Sequence, residues 1–185
     1  TIMKQSLLLF IAICFSLVGF AQHKTAPVKT QATVPAKTPA QAAPSFTKKG
    51  SPIPNFYINR TDGGYLIPQH LKKGKPVMIM IFSPECDHCG FFVDSLKTIR
   101  EQFKTTQVVL VAEERHKDKM QGFIDHLKIN NDPLFKLVGT NKGELIAAIY
   151  TNKILPQLVF YDAQHKLVKI FDGHYTLGDV AKYVK

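Results

Sequence analysis

The residues best suited to chemistry in this sequence are two cysteines separated by two residues, in Cys86-Asp87-His88-Cys89. They follow an unbroken apolar run, Val77 to Phe82, and an amphipathic helical pattern begins at about Cys86. The unpaired N–H groups and the partial positive charge at a helix start stabilise a thiolate. The spacing therefore predicts thiol chemistry, with an exposed Cys86 as the nucleophile and Cys89, one turn further on, resolving a mixed disulfide.

His88 lies between the cysteines and favours the Cys86 thiolate when its imidazole is protonated. Asp87 acts in the opposite direction, because a neighbouring negative charge disfavours a thiolate. Together they predict an intermediate reduction potential rather than an extreme one. We therefore count His88 with Cys86 and Cys89 as candidate catalytic residues.

Other interpretations of the cysteine pair stay open. A structural disulfide across two residues closes a very small loop and constrains the unfolded chain little. A copper or zinc carrier that uses Cys86, Cys89 and His88 is the main alternative, although the spacings typical of zinc sites are missing. Haem attachment needs a histidine directly after the second cysteine, where this chain has Gly90, and a peroxiredoxin has a proline where this chain has Ile79. We expect no bound metal and no cofactor.

Apolar patterns over residues 51–185 predict the elements that position this pair. Strands are predicted at 56–58 and 65–67, as a hairpin around Asp62-Gly63-Gly64, and at 77–82, 108–112, 135–138, 158–161 and 167–171. Helices are predicted from Cys86 with an apolar stripe of Phe92, Leu96, Ile99 and Phe103, then around 120–127, at 144–150 and after Thr176 as N-cap. The pattern predicts one α/β domain with a mixed central sheet, helices on both faces and an N-terminal hairpin.

Residues 1–21 have the parts of a secretory signal peptide. Lys4 precedes an apolar run from Leu7 to Phe20, which is shorter than the roughly 20 residues that span a bilayer. A small-x-small site, Gly19-Phe20-Ala21, follows. We predict cleavage after Ala21, which removes Cys14 and leaves the two paired cysteines; an uncleaved membrane anchor is the alternative.

Residues 22–50 are rich in Ala, Pro, Thr and Lys and contain no acidic residue, which predicts a semi-extended linker. Part of the net charge of +10 lies in this segment, because its lysines are not balanced by acidic residues, all 14 of which lie beyond position 50. The composition, 45% apolar and 21% charged, excludes a collagen-like or wholly disordered chain. No basic stripe with interleaved aromatic residues suggests nucleic-acid binding, so we expect no nucleic-acid partner.

The strand, cysteine pair and helix of residues 79–103, with the later strand Ile154-Leu155-Pro156-Gln157-Leu158-Val159-Phe160, resemble the thioredoxin superfamily. Within it, residues 51–185 look most like the exported TlpA/ResA-like thiol-disulfide oxidoreductases. The resemblance implies that Pro156 is a cis proline beside the cysteines and that the Leu155 backbone pairs with the substrate chain. A proline at a strand start and a cis bond before it are both physically permitted.

The sequence departs from thioredoxin at the cysteine pair. Glu85-Cys86-Asp87-His88-Cys89 replaces the aromatic-Cys-Gly-Pro-Cys motif, and the Asp-His pair partly resembles the Pro-His of the oxidase DsbA, so the direction of electron flow stays open. The buried acid found six residues before the first cysteine of thioredoxin is Met80 here. Either Glu85 or water takes over its proton-transfer role, or resolution is slower.

The resemblance implies an exported, reductive enzyme that acts on protein disulfides. Its partners would be protein thiol or disulfide substrates and a membrane or exported redox protein. The location would be the periplasm of a Gram-negative bacterium, with membrane contact only if the N-terminal segment is retained.

Overall fold

The computed structural model describes residues 45–151 and 154–184. The predicted signal peptide (1–21) and residues 22–44 of the predicted linker lie outside the described residues. The strands are β1 (Ile58–Arg60), β2 (Tyr65–Leu66), β3 (Val77–Ile81), β4 (Gln107–Glu113), β5 (Leu137–Asn141), β6 (Gln157–Tyr161) and β7 (Leu167–Asp172). The helices are α1 (Asp87–Thr98), α2 (Lys117–His126), α3 (Glu144–Ile149) and α4 (Leu177–Ala181).

Residues 45–50, the end of the predicted linker, contact the folded domain. The N–H of Gly50 donates to the carbonyl of Leu167 at 2.8 Å, and Phe46 is half-buried against the apolar core. In the part of the chain that the structure describes, no helix has the length and apolar character needed to cross a membrane.

The seven strands form one sheet in the order β2-β1-β5-β4-β3-β6-β7. β3, β4 and β5 run parallel to one another, whereas β1, β6 and β7 are antiparallel to the strands beside them. The N-terminal hairpin is present, with Ile58 opposite Leu66, and it extends the sheet beyond β5. The mixed sheet and the hairpin are therefore confirmed.

The central strand β3 is buried on both faces, which explains its unbroken apolar sequence. Met78 and Met80 contribute to a core that includes side chains of α1, α2 and α4. Val77, Ile79 and Ile81 contribute to a second core that includes α3 and the N-terminal hairpin. Helices thus cover both faces of the sheet, as the sequence predicts.

Helix α1 differs from the predicted stripe. Its buried residues are Cys89, Val93 and Leu96, while Phe92 is half-buried. The α-helix ends at Thr98 and the chain continues in a short 3-10 helix, so residues beyond this point no longer keep the α-helical angle. The actual stripe begins at the second cysteine and therefore anchors it in the core.

Strand β5 lies two residues later than predicted. The predicted strand began at Phe135, which instead closes a 3-10 helix, Pro133–Phe135. The observed strand extends through Gly139 and Asn141, residue types that rarely favour strands on their own. Pairing with β4 on one side and β1 on the other makes them extended.

Candidate functional site

The first cysteine of the pair is the N-cap of helix α1. The Sγ of Cys86 accepts a hydrogen bond from the backbone N–H of Cys89 at 3.3 Å. A sulfur at this position faces the unpaired N–H groups of the first turn and the positive end of the helix dipole. Cys86 is also partly exposed. The sequence thus places an accessible sulfur where negative charge on it is stabilised.

The second cysteine is in a different environment. Cys89 is fully buried in the core on the α1 face of the sheet. Burial raises the pKa of the Cys89 thiol above its ordinary value, and its hydrogen bond to Cys86 raises the pKa further. Both cysteines are free thiols in this structure. The pair therefore consists of an accessible sulfur and a shielded thiol that holds its proton.

The peptide bond between Leu155 and Pro156 is cis, and it lies beside the cysteine pair. The carbonyl oxygen of Leu155 is 3.9 Å from the Sγ of Cys86. Pro156 is buried and directly precedes β6, which pairs with the central strand that leads into Cys86. The structure thus brings together Cys86, Cys89, Leu155 and Pro156, which are about 70 residues apart in the chain.

Tyr175 supports this proline and gave no signal in the sequence. Its hydroxyl donates to the carbonyl of Pro156 at 2.8 Å, and its ring packs edge-on against Phe92 of α1. Burial raises the pKa of the Tyr175 phenol, and the nearby Cys89 and Cys86 act in the same direction. The hydroxyl therefore keeps its proton and remains a donor.

Gln157 is a second residue that the sequence reasoning missed. Its fully buried side chain donates to the carbonyl of Ile149 at 2.7 Å and accepts from the N–H of Thr151 at 2.9 Å. These bonds join the end of α3 to the start of β6, directly after Pro156. The only sequence signal is a polar residue at the start of an otherwise apolar strand, which is not specific.

His88 and Asp87 occupy the first turn of α1, and both side chains are exposed. Among residues 45–151 and 154–184, no three His, Cys, Asp or Glu side chains form a group that could hold a metal ion. The carrier alternative thus gains no support from the geometry. His88 remains a candidate because of its position between the two cysteines.

Met80 stands at the position where thioredoxin has a buried acid. It is apolar and completely buried in the core. Glu85, the proposed substitute, is exposed, and its carboxylate pairs with Lys119 and, at 3.2 Å, with His116. The hydrogen bond from Lys119 is the main reason that the pKa of Glu85 lies below its usual value. A carboxylate held in this way is a weak proton acceptor, so Glu85 is poorly suited to take the proton of Cys89.

The cysteine pair lies at the start of the helix that follows the central strand, with a cis proline opposite, an arrangement expected of a thioredoxin-like fold. Solved structures with this fold include a secreted disulfide oxidoreductase of Mycobacterium tuberculosis, described as homologous to DsbE of E. coli. It is 20% identical, with a TM-score of 0.57, and the match covers 70% of this chain and 93% of that one.

Two further structures are similar. The thiol:disulfide interchange protein of Chlorobium tepidum, a thioredoxin family protein, is 21% identical, with a TM-score of 0.57 and coverage of 78% of this chain and 97% of that chain. The exposed lipoprotein thioredoxin of Streptococcus pneumoniae is 20% identical, with a TM-score of 0.54 and coverage of 70% and 98%. No protein-family model matches this sequence, and no curated protein matches it. The structural likeness confirms the α/β thioredoxin-like fold.

Proposed function

We propose that this protein is an exported thiol-disulfide oxidoreductase that reduces disulfides in other proteins. The observation that carries the proposal is the asymmetry of the cysteine pair. Cys86 is accessible at a helix N-terminus, while Cys89 is buried with a raised pKa and lies within hydrogen-bond reach of the Cys86 sulfur. Cys86 is thus suited to attack a substrate disulfide, and Cys89 is suited to resolve the mixed disulfide afterwards.

The chemistry follows in two exchanges. The Cys86 thiolate attacks one sulfur of a substrate disulfide, so that a mixed disulfide forms and the first substrate sulfur leaves as a thiolate. Cys89 then loses its proton and attacks the Sγ of Cys86. The mixed disulfide breaks, the second substrate sulfur leaves, and Cys86 and Cys89 are joined. Two electrons have passed from the protein to the substrate.

The cis-proline segment is proposed to hold the substrate chain during this exchange. The Leu155 carbonyl beside Cys86 is an acceptor for a backbone N–H of an extended substrate. Ile154, before it, and Phe91, in α1, are large apolar side chains exposed by 51% and 70%. They favour substrates with apolar residues near the reacting cysteine.

Export and the reductive direction belong to the same proposal. Support for export comes from the signal-peptide features of residues 1–21 and from the secreted or exposed proteins among the structural neighbours. A protein released or anchored outside the cytoplasm needs a membrane or exported redox partner to return its cysteines to the dithiol form.

Insulin reduction tests the proposal. The wild-type protein with excess dithiothreitol should reduce insulin, and Cys86→Ser should abolish this turnover. Cys89→Ser should instead accumulate a mixed disulfide through Cys86, visible as an added mass that dithiothreitol removes. Full turnover by Cys86→Ser would contradict the proposed roles. Ser95→Ala, in the same helix, is the matched control because the Ser95 hydroxyl donates to the carbonyl of Phe91 within α1.

A further inference from the structure

A cavity of about 400 Å³ opens at the end of the sheet opposite the cysteines. Residues of three segments line it: His70, Lys72 and Lys75 before β3, residues between 100 and 108 from after α1 to the start of β4, and residues between 132 and 137 up to the start of β5. These segments lead into the N-terminal ends of the three parallel strands, whereas Cys86 follows the C-terminal end of β3. The cavity is therefore a separate place in the fold from the dithiol.

The lining of this cavity carries an excess of positive charge. Its charged side chains are the cations Lys72, Lys75, Arg100, Lys104 and Lys136 and the carboxylates Glu101 and Asp132. Asp132 pairs with Arg100 at 3.2 Å, and Glu101 pairs with Lys104 at 2.5 Å. Among the described residues, the other three lysines form no ion pair. Three cationic side chains are thus available to a ligand.

The buried part of the lining includes both apolar and polar side chains, among them the Asp132 carboxylate, which is paired with Arg100. Phe103 and Val108 are each only 3% exposed. Thr106 lies between them in the sequence and is 7% exposed, and its hydroxyl has no hydrogen-bond partner among the described residues. A buried hydroxyl without a partner is costly, so such a group points to a missing partner.

The wall that carries two of the lysines is held in place before any ligand arrives. The Gln107 side chain accepts from the N–H of Lys72 at 2.6 Å and donates to its carbonyl at 3.1 Å. The backbone N–H of Gln107 also donates to the carbonyl of Pro76 at 2.9 Å. A preformed wall lowers the entropy lost on binding.

We propose that this cavity binds a small organic anion, in which a phosphate, sulfonate or carboxylate group is joined to an apolar body. The anionic group meets Lys72, Lys75 and Lys136 and accepts a hydrogen bond from the Thr106 hydroxyl, and the apolar body lies against Phe103 and Val108. A volume of about 400 Å³ lies within the usual range for ligand sites. The N-terminal residues 1–44 contain lysines but no acid, so charge disfavours them as the occupant.

Calorimetric titration of the full chain with phenyl phosphate tests the proposal, with inorganic phosphate and phenol as partial ligands. Phenyl phosphate should bind about tenfold more tightly than either partial ligand. Lys72→Gln combined with Lys136→Gln should weaken binding about tenfold. Lys73→Gln is the matched control, because Lys73 is adjacent in the chain but does not line the cavity. Equal binding of phenyl phosphate and inorganic phosphate, or equal weakening by Lys73→Gln, would overturn the proposal.

Thr106→Val gives an independent readout. Loss of the hydroxyl should lower the affinity for phenyl phosphate while the melting temperature of the free protein stays the same or rises. A lower melting temperature with unchanged affinity would contradict the assignment. Insulin reduction should be unaffected in all these variants, so the outcome for the cavity is distinguishable from the outcome for the dithiol.

Discussion

The carbonyl oxygen of Leu155 lies 3.9 Å from the Sγ of Cys86, although the two residues are 69 positions apart. Antiparallel pairing of β6 with β3 produces this proximity, since Gln157 is opposite Ile81. Under the proposed function, a substrate that brings a sulfur to Cys86 would also bring its backbone to the edge formed by Leu155. In that case one strand pairing would couple attack by Cys86 to alignment of the substrate backbone.

Tyr175→Phe tests whether the Tyr175 hydroxyl holds the Leu155–Pro156 segment in place. The substitution removes the hydroxyl that donates to the Pro156 carbonyl but keeps the ring against Phe92. We expect a loss of about 1 kcal/mol in the free energy of unfolding, measured by urea denaturation. The KM for a disulfide peptide should rise more than kcat falls, because the proposed substrate-binding segment is less well held.

Tyr183→Phe is the control for this experiment. Tyr183 packs in the same aromatic cluster, against Phe160 and Phe171, but its hydroxyl makes no hydrogen bond among the described residues. The KM of the Tyr183→Phe variant for the disulfide peptide should stay at the wild-type value. If both variants change KM equally, ring packing rather than the hydroxyl supports the segment.

Gln157→Ala should destabilise the fold more strongly. The buried amide bonds to the Ile149 carbonyl and the Thr151 N–H, and its removal leaves these groups without that partner. We expect a loss of about 2 kcal/mol in the free energy of unfolding. Gln164→Ala, at an exposed turn, should change it by less than about 0.5 kcal/mol. Similar effects of the two changes would contradict a structural role for the buried amide.

The raised pKa of Cys89 predicts a pH dependence of stability. In the unfolded chain the Cys89 thiol ionises near its ordinary pKa of 9.0, whereas in the folded protein it keeps its proton to higher pH. The folded state binds more protons in this range, so the free energy of unfolding of the reduced protein should fall as the pH rises above 9.0. At lower pH this contribution is fully present.

Denaturation of the reduced protein at several pH values checks this dependence, with Cys89→Ala as the reference. Burial also raises the pKa of Tyr161, so that some loss at high pH should occur in both proteins. The difference between the two proteins isolates Cys89. Parallel curves above pH 9.0 would show that the pKa of Cys89 does not rise on folding.

His88→Ala should lower the reduction potential of the Cys86–Cys89 couple. A positive imidazole near the helix start favours the thiolate and hence the reduced form, so its removal favours the disulfide. We expect a decrease of about 15 mV, equivalent to about 0.7 kcal/mol for two electrons, by equilibration with glutathione. His126→Ala, an exposed histidine at the end of α2, should leave the potential unchanged.

The sequence is sufficient to predict the order of strands and helices and the cysteine pair, because these depend on local patterns. The run from Val77 to Ile81 is apolar throughout and becomes the central strand. Thr176 caps α4 as expected, through reciprocal bonds with Asp179. Local patterns of this kind are found again in the folded structure because they depend on residues that are close together in the sequence.

Contacts between distant residues could not be predicted in this way. Asn141 becomes a buried strand residue because its amide donates to the Tyr57 carbonyl, 84 positions away, and accepts from the N–H of Leu145. Tyr175 and Gln157 acquire their roles only when α1, α3 and β6 have packed together. A single sequence contains no periodic signal for such pairs.

The N-terminal hairpin covers one edge of the parallel part of the sheet. β1 occupies the side of β5 that would otherwise be an open edge, and the outermost strand, β2, is only two residues long. A Cβ at position 139 would lie 2.2 Å from the carbonyl oxygen of Asn59, so glycine is required for this close pairing. Open edges are where sheets from different molecules join and aggregate. Gly139, far from the cysteines in sequence, therefore helps to keep this edge of β5 covered by β1.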